Sequence, residues 1–370
     1  MSARPGDPVE AIDTPALVID LDAMQRNMAR MAEFAARHQM RLRPHAKMHK
    51  SAAIAKLQMA AGAVGVCVQK VGEAEALADG GVSDIFISNE VIAESKLARV
   101  AALAGRIKLA IAVDSPLGVD RLTHALRAAG TMVDVFVEID VGHGRCGVAA
   151  TAAGALAHQV VSHGLRFAGL QAYHGRAQHL RDPGERESTV RHAVSLARAA
   201  QASITAAGIH CPLVTGAGTG SFVFEAASGV YGELQAGSYL FMDRDYADNR
   251  AASHAPAFEH ALFVKSQVMS RGTSHAVVDA GHKAHAIDSG LPTVWGRDLE
   301  FSNGGDEHGI LRPRGSSTST LPALGDTLWL VPGHCDPTVN LHDHYVVVRG
   351  GLENGIIGAV WPVDARGHLT

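Results

Sequence analysis

From residue 16 to about residue 240 the chain alternates short, continuously apolar runs with longer alanine-rich stretches. ALVID at 16–20 reads as a strand. The stretch 22–38 then repeats Met24, Met28, Met31 and Phe34 at helical spacing, behind an Asp20 or Asp22 suited to cap its start. Strand-like runs recur at 41–45, 64–68, 84–88, 107–113, 133–139, 167–172, 212–215 and 234–241, with helical segments between most of them. Glycines at 80–81, 105, 130, 164 and 208 follow helical runs, where C-terminal caps belong. Strands that are apolar throughout are buried on both faces, as in a parallel sheet covered by helices. Eight of them are the number that closes a (β/α)8 TIM-type barrel, whose usual size is ~250 residues. The glycine-rich TGAGTG at 215–220 could suggest a doubly wound dinucleotide fold. It follows the seventh strand, however, and lacks GxGxxG spacing.

After about residue 250 the rhythm changes. The segments 261–270, 275–281, 327–333, 344–351 and 356–363 alternate apolar and polar positions and are joined by turns without long helices. This pattern predicts a separate C-terminal antiparallel β domain. Segment 302–320, polar and rich in Gly and Ser, reads as a surface loop, and residues 1–13 as a polar lead-in.

Composition narrows the function classes. A chain of 370 residues exceeds one ordinary core, so one large or two smaller domains are expected. A net charge of −4 gives no reason to expect nucleic acid or a membrane surface as partner. No apolar run approaches the ~20 residues of a spanning helix, and the first residues lack the apolar centre of a signal peptide. The four cysteines are far apart, without a CxxC pair, which fits a reducing cytoplasm better than a disulfide framework. Histidine, at 21, is abundant enough to prompt a search for metal ligands.

Active sites of such barrels lie at the carboxyl ends of the strands. Read in order, those ends offer Lys47, Gln69, Asn89, Asp114, Asp140 with Arg145, Tyr173 with His174, Thr219, and Gly237 with Ser238. Lys47 lies in RPHAKMHK (43–50), where partial desolvation would lower its pKa and free the amine as a nucleophile. TGAGTGS (215–221) and GSY (237–239) offer backbone N–H groups that could converge on an anion, late in the barrel where such folds often hold phosphate. An anion loop opposite a strand-end lysine suggests pyridoxal 5′-phosphate. In GHCDP (333–337) an extended backbone would turn His334 and Asp336 to one face and Cys335 away. An imidazole with a carboxylate suits Mn²⁺ or Mg²⁺. DEHG (306–309) is a second acidic and histidine cluster, equally open to a loop contact or a place in the site.

Together RPHAKMHK, VCVQKVGEAE, ISNEV, EIDVGHGRCGV, LQAYHG, TGAGTGS, ELQAGSYLFMD and VPGHCDPT resemble the D-threonine aldolase family, which includes 3-hydroxy-D-aspartate aldolase. The resemblance spans nearly the whole chain. It implies the alanine racemase-like arrangement of fold type III. Residues 21–250 would form the barrel and 251–370 the β domain, with the segment 1–20 joining the latter. It also implies a homodimer, with Lys47 as the residue that holds pyridoxal phosphate and Lys50 behind it or at the surface. Gln69, Thr219, Gly237, Ser238 and Tyr246 would contact the cofactor, with Arg145 and Tyr173 beside its ring. His179 would be the base, and His334 and Asp336 the ligands of a divalent metal. Ala217 stands where the family usually has glycine, and His143 and Arg176 occupy variable positions, of which Arg176, beside the pocket, bears on side-chain selectivity. The implied reaction is cleavage of a D-3-hydroxy amino acid to glycine and an aldehyde, with either D-threonine or 3-hydroxy-D-aspartate as substrate. Related dehydratases resemble the chain but carry cysteine at the second metal position. A dehydratase, a racemase and a non-catalytic pyridoxal-phosphate carrier remain the rivals.

Overall fold

Asp20 ends the first strand, β1 (Ala16–Asp20), and its carboxylate accepts the Ala23 N–H at 3.1 Å to start α1 (Leu21–Arg37). The computed structural model describes residues 4–315 and 320–370. Met24, Met28, Met31 and Phe34 all lie on the buried face of α1. Beyond it the chain runs β2 (Arg41–Leu42), α2 (Ala52–Ala60), β3 (Val66–Val68), α3 (Val71–Asp79), β4 (Asp84–Ile87), α4 (Glu94–Ala104), β5 (Lys108–Val113) and α5 (Pro116–Ala129). It continues through β6 (Asp134–Glu138), α6 (Ala153–Ser162), β7 (Arg166–Ala172), α7 (Pro183–Ala206), β8 (Val214–Gly216), α8 (Phe222–Ala227), β9 (Glu233–Leu234) and α9 (Arg244–Ala247). Local chemistry sets the boundaries. Ser115 and Asp182 cap α5 and α7, each followed by proline, and Gly130 closes α5 in the left-handed region at φ 64°.

The strands β2 to β9 form one parallel sheet, ordered β2-β9-β8-β7-β6-β5-β4-β3. Its two ends meet through the parallel bridge His45–Cys67 and the bond from Cys67 N–H to Pro44 O at 2.9 Å, which closes the barrel. Alternate residues of each strand face either the helices or the interior. Val66, Ile85, Ile111 and Val137 join the main core under the helices. Cys67, Phe86, Ala110, Ala112 and Phe136 fill the interior. A polar layer completes that filling: Arg43 binds Glu233 at 3.2 Å and Asp84 at 2.6 Å, and Gln235 binds Gln171 and Thr215. The barrel is therefore closed below and open only at the carboxyl ends.

The second unit adds β10 (Leu262–Arg271), β11 (Ala276–Val278), β12 (Thr293–Val294), β13 (Leu299–Asn303), β14 (Gly309–Pro313), β15 (Thr327–Val331), α10 (Cys335–Val339), β16 (His344–Arg349) and β17 (Ile356–Pro362). With β1 these strands make a nine-stranded sheet, in which β1 pairs antiparallel with β10 and parallel with β16.

Three sequence expectations need correction. The run 234–241 leaves the sheet after Leu234 and coils into a 3-10 turn, Ser238–Leu240, because the Tyr239 N–H goes to Thr219 Oγ1 rather than to a neighbouring strand. The expected loop 302–320 contains the end of β13 and all of β14, paired by backbone bonds that polar side chains do not prevent; its residues 316–319 lie outside the described residues. The lead-in 1–13 is not wholly polar in role: Val9 and Ile12 are buried against β1 and β16, and residues 1–3 lie outside the described residues. No helix among the described residues is long and apolar enough to cross a membrane.

Candidate active site

A cavity of about 380 Å³ opens at the carboxyl ends of the barrel strands, within the size range of small-molecule sites. After β2 the chain turns inward, and the short turn Ala46–Met48 presents Lys47 to this cavity. The Lys47 N–H is held by His45 Nδ1 at 3.4 Å, and His45 is bound in turn by Gln69 at 2.9 Å. Lys47 Nζ lies 3.1 Å from Asp336 Oδ2. That carboxylate raises the lysine pKa and outweighs the desolvation expected to lower it. Lys50 is turned away and buried, with its ammonium 2.7 Å from Glu73.

Two loops face Lys47. Thr219 follows β8, and Gly237 and Ser238 follow β9; all line the cavity. The N–H groups of Gly218, Thr219, Gly237 and Ser238 find no acceptor among the described residues. The loops fit tightly. A Cβ at position 218 would lie 2.5 Å from Gln178 Oε1, and one at 237 would lie 2.8 Å from His45 O. Ala217, where glycine was the family expectation, adopts φ 70°, a conformation that costs a non-glycine residue about 1 kcal/mol. Unpaired backbone N–H groups of this kind suit an anion such as a phosphate.

His179 ends the turn Arg176–His179, and its Nδ1 meets Asp245 Oδ2 at 2.6 Å. Burial alone would raise the Asp245 carboxyl, but the bonds from His179 and Arg181 outweigh it and hold the group at about 2. An ionised Asp245 fixes the proton on Nδ1 and leaves Nε2 as a free acceptor at the cavity. Tyr246 packs against His179 at a tilt of 40°, with ring centroids 5.6 Å apart. Arg145 lies over the ring of Tyr173, 5.5 Å from its centroid, and 3.9 Å from Glu138. Burial, then the nearby Glu90 carboxyl, pushes the Glu138 pKa up, so the acid beneath Arg145 holds its proton.

The β domain supplies the remaining wall. The extended conformation expected for GHCDP stops at His334, the N-cap of α10, and Asp336 sits in the helix's first turn. The two side chains converge nonetheless, with His334 Nε2 3.8 Å from Asp336 Oδ1, while Cys335 is buried behind them. Among the described residues Asp336 Oδ1, although buried, meets no donor. On the other side of the ring, His334 Nδ1 is 2.7 Å from Asp288 Oδ2. The segment is fastened to the end of the barrel. Asp243 accepts the N–H of Cys335 at 2.9 Å and of Tyr246 at 3.0 Å, and Arg244 N–H and Asp245 N–H bind Pro332 O and Gly333 O. Only glycine fits at 333, where a Cβ would meet Gly290 O at 2.1 Å.

All eleven residues singled out by sequence thus line one cavity: Lys47, Gln69, Arg145, Tyr173, His179, Thr219, Gly237, Ser238, Tyr246, His334 and Asp336. Other candidates do not. Asp114 and Asp140 accept backbone N–H groups of the 142–147 loop, and Asn89 ties to Gln69 O. Asp306 and Glu307 of DEHG pair with His282 and Lys283 at the surface. Sequence reasoning missed His45, Asp245 and Asp288. His45 stood in the same motif as Lys47, and Asp245 stood in the acidic DRDY that leaves the last barrel strand.

Residues 19–245 match the family described as alanine racemase, N-terminal domain, and 261–348 match a serine dehydratase domain. The chain is 45% identical to D-threonine aldolase of Arthrobacter sp. over 99% of its own length and 96% of the relative's. It is 43% identical to 3-hydroxy-D-aspartate aldolase of Paracoccus denitrificans (strain Pd 1222) over 99% and 95%. The solved structure of D-threonine aldolase from Filomicrobium marinum superimposes with a TM-score of 0.96 at 48% identity, covering 100% of both chains.

Proposed function

The chain belongs to the family of D-threonine aldolase and 3-hydroxy-D-aspartate aldolase, and from that premise we propose that it cleaves D-3-hydroxy amino acids to glycine and an aldehyde. It is a carbon–carbon lyase with the fold of the pyridoxal-phosphate-dependent alanine racemase family. The observation that carries the reading is the convergence, in one cavity, of a lysine amine, a histidine with a free Nε2 and a histidine–carboxylate pair with one unmatched oxygen.

The residues present fit pyridoxal phosphate. Lys47 would hold its aldehyde, and the unpaired N–H groups of the 218–219 and 237–238 loops would hold its phosphate. When bound, the cofactor supplies an electron sink for the pair released as the substrate's Cα–Cβ bond breaks. The residues also fit a divalent cation. His334 Nε2 and the orphaned Asp336 Oδ1 face one another, and Asp288 orients the imidazole from behind. An ion there would acidify a hydroxyl, and Mn²⁺ or Mg²⁺ suits the donor set.

The protein's own work is positioning and proton transfer. His179 Nε2 accepts the β-hydroxyl proton, while Asp245 and Arg181 keep the ring in the required tautomer. Arg145 is held at the cavity by Tyr173, and because Glu138 below it is protonated, its charge stays available to the site. The closed polar layer under the cavity leaves the open mouth as the route for substrate.

Product analysis tests the reading. Enzyme supplied with pyridoxal phosphate and Mn²⁺ should convert D-threonine or D-3-hydroxyaspartate to glycine plus acetaldehyde or glyoxylate. Ammonia with a 2-keto acid would establish a dehydratase, and absence of turnover a carrier; either result overturns the proposal.

A further inference from the structure

The cavity mouth carries two groups that the proposed chemistry leaves unused. Arg176 opens the same 3-10 turn that His179 closes, and residues three apart in such a turn lie on one side of it. Its guanidinium lines the cavity and meets no carboxylate among the described residues, whereas Arg145 lies over the Tyr173 ring and Arg181 pairs with Asp245. Beside it is His143. Its Nδ1 accepts the Gly175 N–H at 3.1 Å, so the neutral ring carries its proton on Nε2 and is a donor there. The ring is wedged in place. A Cβ at 175 would lie 2.4 Å from His143 Cε1, and His174 stacks parallel on it at 5.7 Å, its own Nδ1 bound by the Ala177 N–H. Among the described residues, the sole acid lining the cavity is Asp336, already engaged with Lys47.

We infer that Arg176 and His143 form a receptor for an anionic group on the substrate's Cβ, which makes 3-hydroxy amino acids with an acidic side chain the preferred substrates. The inference rests on the aldolase reading and deepens it. The hydroxyl that His179 deprotonates and the side-chain substituent share one carbon. Groups placed beside His179 therefore read that substituent, not the distant α-carboxylate. D-Threonine offers only a methyl group there, which leaves the guanidinium and the imidazole N–H to water. A carboxylate would receive charge-assisted hydrogen bonds from both, each strong enough to discriminate roughly ten- to a hundredfold.

The test is a comparison of kcat/KM for D-3-hydroxyaspartate and D-threonine in the holoenzyme, Arg176→Gln and His143→Gln. The holoenzyme should favour the dicarboxylate at least tenfold. Arg176→Gln should lower kcat/KM for the dicarboxylate roughly ten- to a hundredfold, mainly through KM, and for D-threonine less than threefold; His143→Gln should show the same selectivity with a smaller loss. A holoenzyme that prefers D-threonine overturns the inference, as does an Arg176→Gln variant that loses both activities equally or neither. If the holoenzyme cleaves neither amino acid, the aldolase reading falls, and this one with it.

Discussion

Two histidine–aspartate pairs line the cavity, and they are alike in their first contact. His179 Nδ1 lies 2.6 Å from Asp245 and His334 Nδ1 lies 2.7 Å from Asp288. In each, the carboxylate fixes the Nδ1 proton and turns Nε2 toward the cavity. They differ in what waits at Nε2. His334 meets Asp336 Oδ1, a buried oxygen with no donor, and a second negatively charged group there calls for a cation. Among the described residues no carboxylate lines the cavity beyond His179, which leaves its Nε2 open to the proton transfer proposed for it. The supporting acids differ too. Asp245 is buried and clamped by Arg181, while the side chain of Asp288 is 51% exposed. A histidine's role is set by the surroundings of its far nitrogen, and its carboxylate partner alone does not distinguish base from ligand.

The largest expected effects separate those two roles. His334→Ala and Asp336→Ala should each lower aldol cleavage more than about a thousandfold and abolish stoichiometric Mn²⁺ binding in equilibrium dialysis. His179→Ala should lower kcat by roughly 10²–10⁴ yet bind Mn²⁺ as the parent does. Chelator should mimic the first pair while circular dichroism stays unchanged, because the ligands sit on elements held by Asp243 and by backbone bonds that do not depend on an ion. If His179→Ala also loses Mn²⁺, the distinction between the pairs collapses.

Sequence made the two histidines visible and hid their partners. The apolar rhythm that located the barrel strands also located their carboxyl ends, and with them Lys47 and Tyr173; His179 came into view only through the family resemblance. His334 and Asp336 stood out because only one residue separates them in the chain. Asp245 and Asp288 lie 66 and 46 residues from the histidines they serve, so only the folded chain joins them. Electrostatics was misread for the same reason: Lys47 was judged by burial alone, without the carboxylate that the β domain brings to 3.1 Å. Local conformation failed where tertiary bonds intervene, as at GHCDP, where Asp243 caps the backbone of Cys335 and the chain turns helical.

A smaller effect probes Asp288. If it acts by orienting His334, Asp288→Ala should weaken Mn²⁺ binding ten- to a hundredfold and leave kcat near the parent value at saturating Mn²⁺. Titration of activity against Mn²⁺ measures this. An unchanged midpoint would reduce Asp288 to a surface neighbour and make the pair at His179 the sole working histidine–aspartate pair in the cavity.

The smallest effect is on stability, and it should appear at one pair only. The Asp245 carboxyl is held at about 2 in the folded chain, against ~3.9 when unfolded, a difference that corresponds to roughly 2 kcal/mol. Because the folded value is the lower one, the contribution is fully present above about pH 4 and is lost as pH falls toward 2. Asp245→Asn should therefore unfold at lower urea concentration than the parent at pH 7, and the gap should narrow steadily below pH 4. Asp288 is also shifted downward, but half its side chain faces solvent, where screening removes most of the benefit. Asp288→Asn should unfold with the parent at both pH values. A pH-independent gap for Asp245→Asn would mean that the pair contributes through packing and hydrogen bonding rather than charge, and the two aspartates would then differ only in burial.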